Sequence, residues 1–277
     1  MNAKRLAPLA LFVAWGCSHP HSAPAGLLGP RIFSLKSVDV LDAAPGATSA
    51  RPIRLHLEHS NLRATLLYPE GKRAAVPAMR FRVMLAGRVV HDGTIQQMPA
   101  DLRILTAENG RVIAIADTYS GGAHCCYGSA VVDATDPGAP RYVKKDWGNL
   151  TYDVVQSRDA TGYVFVTGDN AGAYAFGSYA ESAFPVLVES YRNGVFVDVS
   201  KEYPDILATD AAEQWHEYAL GRRSNVAPEA ALAAYLADEY RLGRSKRAWA
   251  RVHALHGLPK DFDAKAMDWL RSSGYVK

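Results

Sequence analysis

The residues best equipped for chemistry sit together in one octapeptide, Ser120-Gly121-Gly122-Ala123-His124-Cys125-Cys126-Tyr127. Two thiols beside an imidazole have three fates. Cys125 and Cys126 can oxidise to each other. Adjacent trans Cα atoms lie about 3.8 Å apart, whereas ordinary disulfides want about 4.4 Å or more, so such a bond would be strained and labile, either a switch or a rigid turn. The segment can instead hold a metal. On a regular strand His124 and Cys126 share a face while Cys125 points away, which makes His124 and Cys126 a candidate pair for copper or zinc, with a third ligand due from elsewhere. The third fate is packing, since free cysteine is among the most buried residue types. Activation of Cys125 by His124 would require a distorted hairpin, because neighbours on a strand point to opposite faces. His56, His59 and His91 are further imidazoles whose spacing does not place them.

No Gly-x-Ser-x-Gly elbow, His-Glu-x-x-His helix, Gly-rich phosphate loop or acidic calcium loop accompanies these residues, and no catalytic residue is assigned. Gly121-Gly122 suits a tight hairpin turn needing positive φ, which puts His124 and the cysteines at the start of the return strand. Gly121, Gly122, His124, Cys125 and Cys126 therefore form the candidate binding or redox site. The aromatics of Ala173-Tyr174-Ala175-Phe176-Gly177-Ser178-Tyr179 alternate as on a strand and fit cross-strand packing better than a ligand groove.

The elements that must position this segment are mostly strands. Short apolar runs between turn residues cover Ile53 to Glu58, Arg63 to Tyr68, Met79 to Leu85, Val112 to Ala116, Ser129 to Asp133, Tyr163 to Thr167 and Val186 to Tyr191. Glu108-Asn109-Gly110, Asp136-Pro137-Gly138 and Arg192-Asn193-Gly194 punctuate them. Strands this close leave no room for crossover helices, which excludes a nucleotide-binding βαβ sheet. Val112 to Ser129 and Tyr163 to Ser182 form a weak repeat, as blade-like sheets would. From about Asp210 the period becomes helical. A short helix carries Ala212, Trp215 and Ala219, and Pro228 to Leu242 presents Leu232, Tyr235, Leu236 and Tyr240 on one stripe. Ser245 caps a helix bearing Trp249, Val252 and His256, and Asp261 caps another bearing Phe262, Ala266, Trp269 and Leu270. The expected fold class is α+β: antiparallel sheets stacked like blades, as a partial propeller or sandwich, over residues 31–206, followed by a helical bundle over residues 207–277.

The N-terminus predicts export. Lys4 and Arg5 precede an apolar run from Leu6 to Trp15, too short to span a bilayer and right for a signal peptide over residues 1–16. Ala14-Trp15-Gly16-Cys17 resembles a bacterial lipobox, with Ala14 and Trp15 atypical for it, and makes Cys17 the expected lipidation site. Cleavage after Ala23 is the rival, with Pro24 badly placed for it. Residues 17–30 read as a flexible tether. With Cys17 acylated, Cys125 and Cys126 are the remaining thiols of a chain with three cysteines.

The chain has 277 residues, 48% of them hydrophobic, enough for a real core. Its formal charge is +3, and Lys4 and Arg5 leave with the leader, so the mature chain is near neutral. That argues against a nucleic-acid partner. Arg241, Arg244, Lys246, Arg247 and Arg251 form a local basic cluster, read as a solvated helix face or as a docking face for another envelope protein.

Several strings resemble a family of uncharacterised exported bacterial proteins. They are Ser120 to Cys126, Asp146-Trp147-Gly148-Asn149, Ala175-Phe176 through Tyr179-Ala180 to Ser182 and Pro185, and Asn193 to Val199, then Leu232 to Tyr240 with Leu242-Gly243, and Ser273-Gly274-Tyr275. The resemblance runs from about Leu102 to Tyr275 and implies a sheet domain related to integrin-type propeller blades with a helical tail. Relatives often carry calcium-like strand-entry loops. Here Glu108-Asn109-Gly110 and Arg158 to Gly162 keep too few carboxylates for that.

These readings together predict a periplasmic or outer-membrane lipoprotein that binds or scaffolds, without catalysis or a resident cofactor. Its expected partner is another envelope protein or a small extracytoplasmic ligand, and it meets the membrane through its lipid anchor alone. The alternative is a thiol- or metal-dependent envelope protein, handling copper or zinc or serving as a redox partner, centred on His124, Cys125 and Cys126.

Overall fold

The computed structural model describes residues 33–39, 53–68, 78–107, 110–122, 125–159, 162–224 and 228–276. The leader, Cys17 and the tether lie outside the described residues. The fold is α+β, with three antiparallel sheets followed by four helices.

The first sheet to be completed along the chain contains β2 (Ile53–His59), β3 (Leu62–Tyr68), β4 (Met79–Leu85) and β5 (Arg88–Ile95), in that order. The second contains β1 (Phe33–Asp39), β6 (Met98–Ala107), β7 (Val112–Gly122), β8 (Cys125–Asp133) and β9 (Arg141–Gly148). Its edge strand β1 comes from the far N-terminal side, pairing Phe33 with Ala107 and Asp39 with Asp101. The third contains β10 (Asp153–Gln156), β11 (Tyr163–Gly168), β12 (Val186–Arg192) and β13 (Val195–Asp198). Asn193 and Gly194, both at positive φ (52° and 90°), close the tight turn between β12 and β13.

Side-chain parity stacks these sheets. In the second sheet Leu102, Ile104, Ala114, Ala116, Ala130 and Val132 face Leu57, Leu66, Phe81 and Val83 of the first. Leu105, Ile113, Ile115, Val131 and Trp147 point the other way, onto Tyr163, Phe165 and Tyr191 of the third. The third sheet turns Val164, Val166, Val186 and Val188 toward Ile206 and Leu207 at the start of the first helix. Val112 to Ala116 and Tyr163 to Val166 accordingly read as continuous apolar runs rather than alternating ones, because both faces of these two sheets are covered.

Among the described residues, one face of the first sheet is uncovered, and it is charged. Arg80 donates two hydrogen bonds to Asp92, both of 2.7 Å, and Arg82 adds a third of 2.9 Å. The hydrogen bond from Arg80, with Arg82 beside it, pulls the Asp92 carboxyl down to about 2. Such a solvated face ends the stack on that side.

The helices are α1 (Pro204–Ser224), α2 (Glu229–Arg241), α3 (Ser245–His253) and α4 (Phe262–Ser272). Three expectations change here. The short helix around Trp215 is a 21-residue helix that starts at Pro204. Its first turn packs on the third sheet, while Ala211 and Tyr218 belong to the helical core, so one element joins two cores. Helix α2 is buried continuously from Ala230 to Glu239 rather than along one stripe, since α1 and α4 cover its other sides. Its alanines allow that close approach. Ser245 is the first helical residue, with Arg244 as N-cap and no side-chain cap, and His256 lies exposed beyond the end of α3.

Candidate functional site

Strands β7 and β8 form the hairpin that carries the octapeptide. Pairing runs from Ile113 opposite Asp133 to Tyr119 opposite Tyr127, then slips before Gly122 meets Cys125. Gly121 and Gly122 are the last residues of β7 and not, as expected, the turn; Gly121 lies at this slip with φ +85°, and a Cβ there would come within 2.9 Å of Met98 Cε. The Ser120 hydroxyl accepts the Cys126 N–H at 2.6 Å and fills the gap left by the slip. Tyr119 and Tyr127 pack as a tilted pair 5.0 Å apart beneath the tip. Cys126 is disulfide-bonded. His124 and the Cys125 side chain lie outside what the structure describes. In its disulfide form Cys126 has no thiolate to offer a metal, and among the described residues no group of three His, Cys, Asp or Glu side chains is arranged to hold an ion. His91 stacks flat on Tyr142 at 4.5 Å, and burial pushes its imidazole pKa down.

The tip shares its end of the second sheet with Gly148, which pairs with Tyr127. There the chain between β11 and β12 crosses over. Asn170 Oδ1 accepts the Asn149 N–H at 3.1 Å and Asn170 Nδ2 donates to the Trp147 carbonyl at 2.7 Å. Gly148 sits at φ +64° with the Asn170 amide over the space a side chain would fill. The same segment reaches the helices. Asp169 Oδ2 accepts from Tyr275 Oη at 2.6 Å and lies 3.4 Å from Arg241 Nη2. Trp269 Nε1 donates to the Ala171 carbonyl at 2.8 Å, and Phe176 packs on Phe262 and Trp269. The aromatics of residues 173–179 are therefore not on a strand. They occupy a loop between two 3-10 turns, Asn170–Gly172 and Tyr179–Glu181, with Tyr174 held at φ +57° and 55% exposed. Alternation misled here because the segment turns back to meet the helices, so its side chains serve two different layers.

A second polar cluster lies between the second and third sheets. Asp117 accepts hydrogen bonds from Ser129 and from Tyr152 Oη, the latter at 3.0 Å. Ser129 also accepts from Trp147 Nε1 at 2.7 Å. Arg103 Nε lies 2.8 Å from both Asp101 and Asp117, with its guanidinium 4.8 Å from the Tyr152 ring centre. Burial pushes the Asp117 carboxyl up, against the pull of Arg103, Ser129 and Tyr152. Lys145 and Glu189 complete the layer as an ion pair at 2.6 Å. Hydrogen bonds join Asp117, Ser129, Tyr152 and Trp147, and ion pairs hold Arg103 and Lys145, which suits a cross-brace between sheets rather than a reactive centre.

The basic cluster near the C-terminus does not act as one face. Arg241 is withdrawn into the junction with 6% of its side chain exposed, and its guanidinium lies 4.6 Å from the Tyr275 ring centre. Arg251 lies 3.5 Å over Trp215. Elsewhere, a cleft of about 320 Å³ opens beside β11 and β12, lined by residues including Arg111, Arg158, Arg192, Ser157, Ser190 and Tyr203. Arg158 is already paired with Asp205 at 2.6 Å.

The residues that sequence reasoning missed are Asp169, Asn170 and the partners they join. Asn149 and Tyr275 stood in strings singled out for their resemblance, but nothing in the chain linked them to position 169 or 170.

Comparison with known proteins supports the helical region first. Residues 207–272, from within α1 to the end of α4, match the model of the sll0997 C-terminal domain. The chain is also similar to the probable thylakoid lumen protein sll0997 of Synechocystis sp., 28% identical over 196 residues that make up 62% of this chain and 52% of that protein. The chain thus spans about half the length of the relative it matches. No solved structure matches it.

Proposed function

We propose that this is an exported, envelope-held binding or scaffold protein whose working rim is the β7–β8 tip together with the 169–185 segment. The observation that carries the reading is the disulfide at Cys126, because such bonds form and persist in oxidising compartments outside the cytoplasm. The relative named as a probable thylakoid lumen protein adds support for an extracytoplasmic address. Cys17, acylated at the membrane, is the anchor in this reading, which leaves Cys125 as the partner of Cys126. The bond then stiffens the start of β8, beside which Tyr119 and Tyr127 are packed. The partner is another envelope protein or a small ligand, with exposed Tyr174 on the rim as a ready contact.

The same disulfide favours a second reading, a redox partner that also handles copper or zinc through His124 and Cys126 once reduced. Equilibration of the purified full chain with thiol–disulfide buffers separates the two. The scaffold reading predicts a midpoint below about −300 mV, as for structural bonds in secreted proteins. A midpoint in the range of about −120 to −230 mV, where oxidoreductases work, would favour the redox reading instead.

A further inference from the structure

Within the apolar seat of the helical region on the third sheet, one residue is gripped by polar side chains from two helices. Val186, the first of β12, donates its N–H to Asp210 Oδ2 of α1 at 3.0 Å, and its carbonyl accepts from Arg241 Nη1 of α2. Both backbone groups of a buried strand end are thus held by side chains from two different helices. Asp210 is 4% exposed and Asp238 of α2 is fully buried. The Asp238 carboxyl is set against that of Asp210, and Arg241 Nη1 is 3.9 Å from Asp238 Oδ1, beyond hydrogen-bond reach.

The charges at this seat do not balance if every carboxyl ionises. Asp238 of α2 lies in the field of Asp210 of α1 and of its neighbour Glu239, with Arg241 as the cation acting on it; Arg241 also lies 3.4 Å from Asp169 of the 169–185 segment, to which the Tyr275 hydroxyl donates. Two adjacent buried carboxyls cannot both carry charge cheaply, so Asp238 retains a proton and gives it to Asp210 as a hydrogen bond. We infer that a proton held on Asp238 and donated to Asp210 is a latch that seats the helical region on β12, and that its loss as pH rises loosens the seat. On ionisation, Asp238 repels Asp210 from the Val186 N–H and draws Arg241 off the Val186 carbonyl. Burial and the neighbouring Asp210 hold the Asp238 carboxyl well above the usual range, which agrees with a proton retained in the folded state.

Linkage fixes the sign. A carboxyl whose folded pKa is raised takes up a proton on folding. Stability is therefore full below the unfolded carboxylate value and falls as pH rises through the folded one.

The test is amide hydrogen exchange of the full chain, resolved at Val186 to Val188 and corrected for intrinsic rates, between about pH 5 and pH 9. The wild type is expected to lose protection there by about tenfold or more as pH rises. Asp238→Asn, which keeps a donor toward Asp210 without a titrating proton, is expected to hold its protection constant over the same range. Constant wild-type protection, or an unchanged slope in Asp238→Asn, overturns the latch. Should that variant fail to fold, the infrared carbonyl band of a protonated carboxyl in the wild type at neutral pH decides the matter, since its absence also overturns it.

Discussion

One methyl group at position 172 is expected to unseat the helical region from the sheets. Gly172 is buried in the 3-10 turn that follows Asp169, and a Cβ built there would run into the Ala183 carbonyl oxygen. That Cβ would also lie 3.0 Å from the Ala183 carbonyl carbon and 3.3 Å from Phe184 Cα, so backbone meets backbone and no rotamer change can relieve it. The two arms of the 169–185 segment would have to part. On one arm are the Asp169 contacts to Tyr275 and Arg241 and the Ala171 carbonyl held by Trp269. Gly172→Ala should cost about 3 kcal/mol or more, the upper range for overpacking. Urea denaturation followed by tryptophan fluorescence measures it, and near-ultraviolet circular dichroism should show Trp269 released from its packing.

The second large effect is expected at Arg103. Its guanidinium is the cation within 2.8 Å of both Asp101 and Asp117, which are 9% and 6% exposed. Arg103→Leu leaves two buried carboxyls without that partner, and the loss should be about 3–5 kcal/mol. It should grow as pH rises from the carboxylate range, because the uncompensated Asp117 then takes up a proton on folding. Combining Arg103→Leu with Asp117→Asn should recover part of the loss. The amide carbonyl still accepts from Ser129 and Tyr152 while position 117 no longer carries a charge, and the part not recovered is the loss of Arg103 beside Asp101. Denaturation midpoints of the two variants at low and neutral pH measure both statements.

Both effects arise from contacts distant in the chain, which explains what could be read beforehand and what could not. Seven of the strands between Ile53 and Arg192 were legible because apolar runs ended at turn residues, whereas Arg88–Ile95, Met98–Ala107, Arg141–Gly148 and Asp153–Gln156 were not read, and Asn193-Gly194 announced its own hairpin through the positive φ it needs. The covering of both faces of the second and third sheets was legible only as the density of the runs Val112 to Ala116 and Tyr163 to Val166. The two halves of the weak repeat also differ. Val112–Gly122 and the strand from Cys125 pair as one hairpin, whereas Tyr163 to Val166 leads into the 169–185 loop, where Ser182 lies outside any strand. Among the candidate site residues, the positive φ of Gly121 followed from its type, but Gly121 and Gly122 end β7 rather than forming the turn. The junction did not. Asp169 meets Tyr275 across 106 residues, and Ala171 meets Trp269 across 98, separations at which no local pattern carries information. Asp238 read as one more polar residue of a helix, and its burial depends on α1 lying against it.

The junction bears on the proposed function. A rim made of the β7–β8 tip, Asn149 and the 169–185 segment is held from below by the sheets and from the side by the helices. Rigid support of this kind suits a surface that must present fixed contacts to a partner.

The most direct test is made in cells producing the full chain, by trapping free thiols with an alkylating reagent before lysis and mapping the peptide that contains Cys125 and Cys126. An extracytoplasmic protein with a closed structural bond predicts that Cys126 escapes alkylation until reductant is added, and that its partner is Cys125. Alkylation of Cys126 in untreated cells would contradict the account.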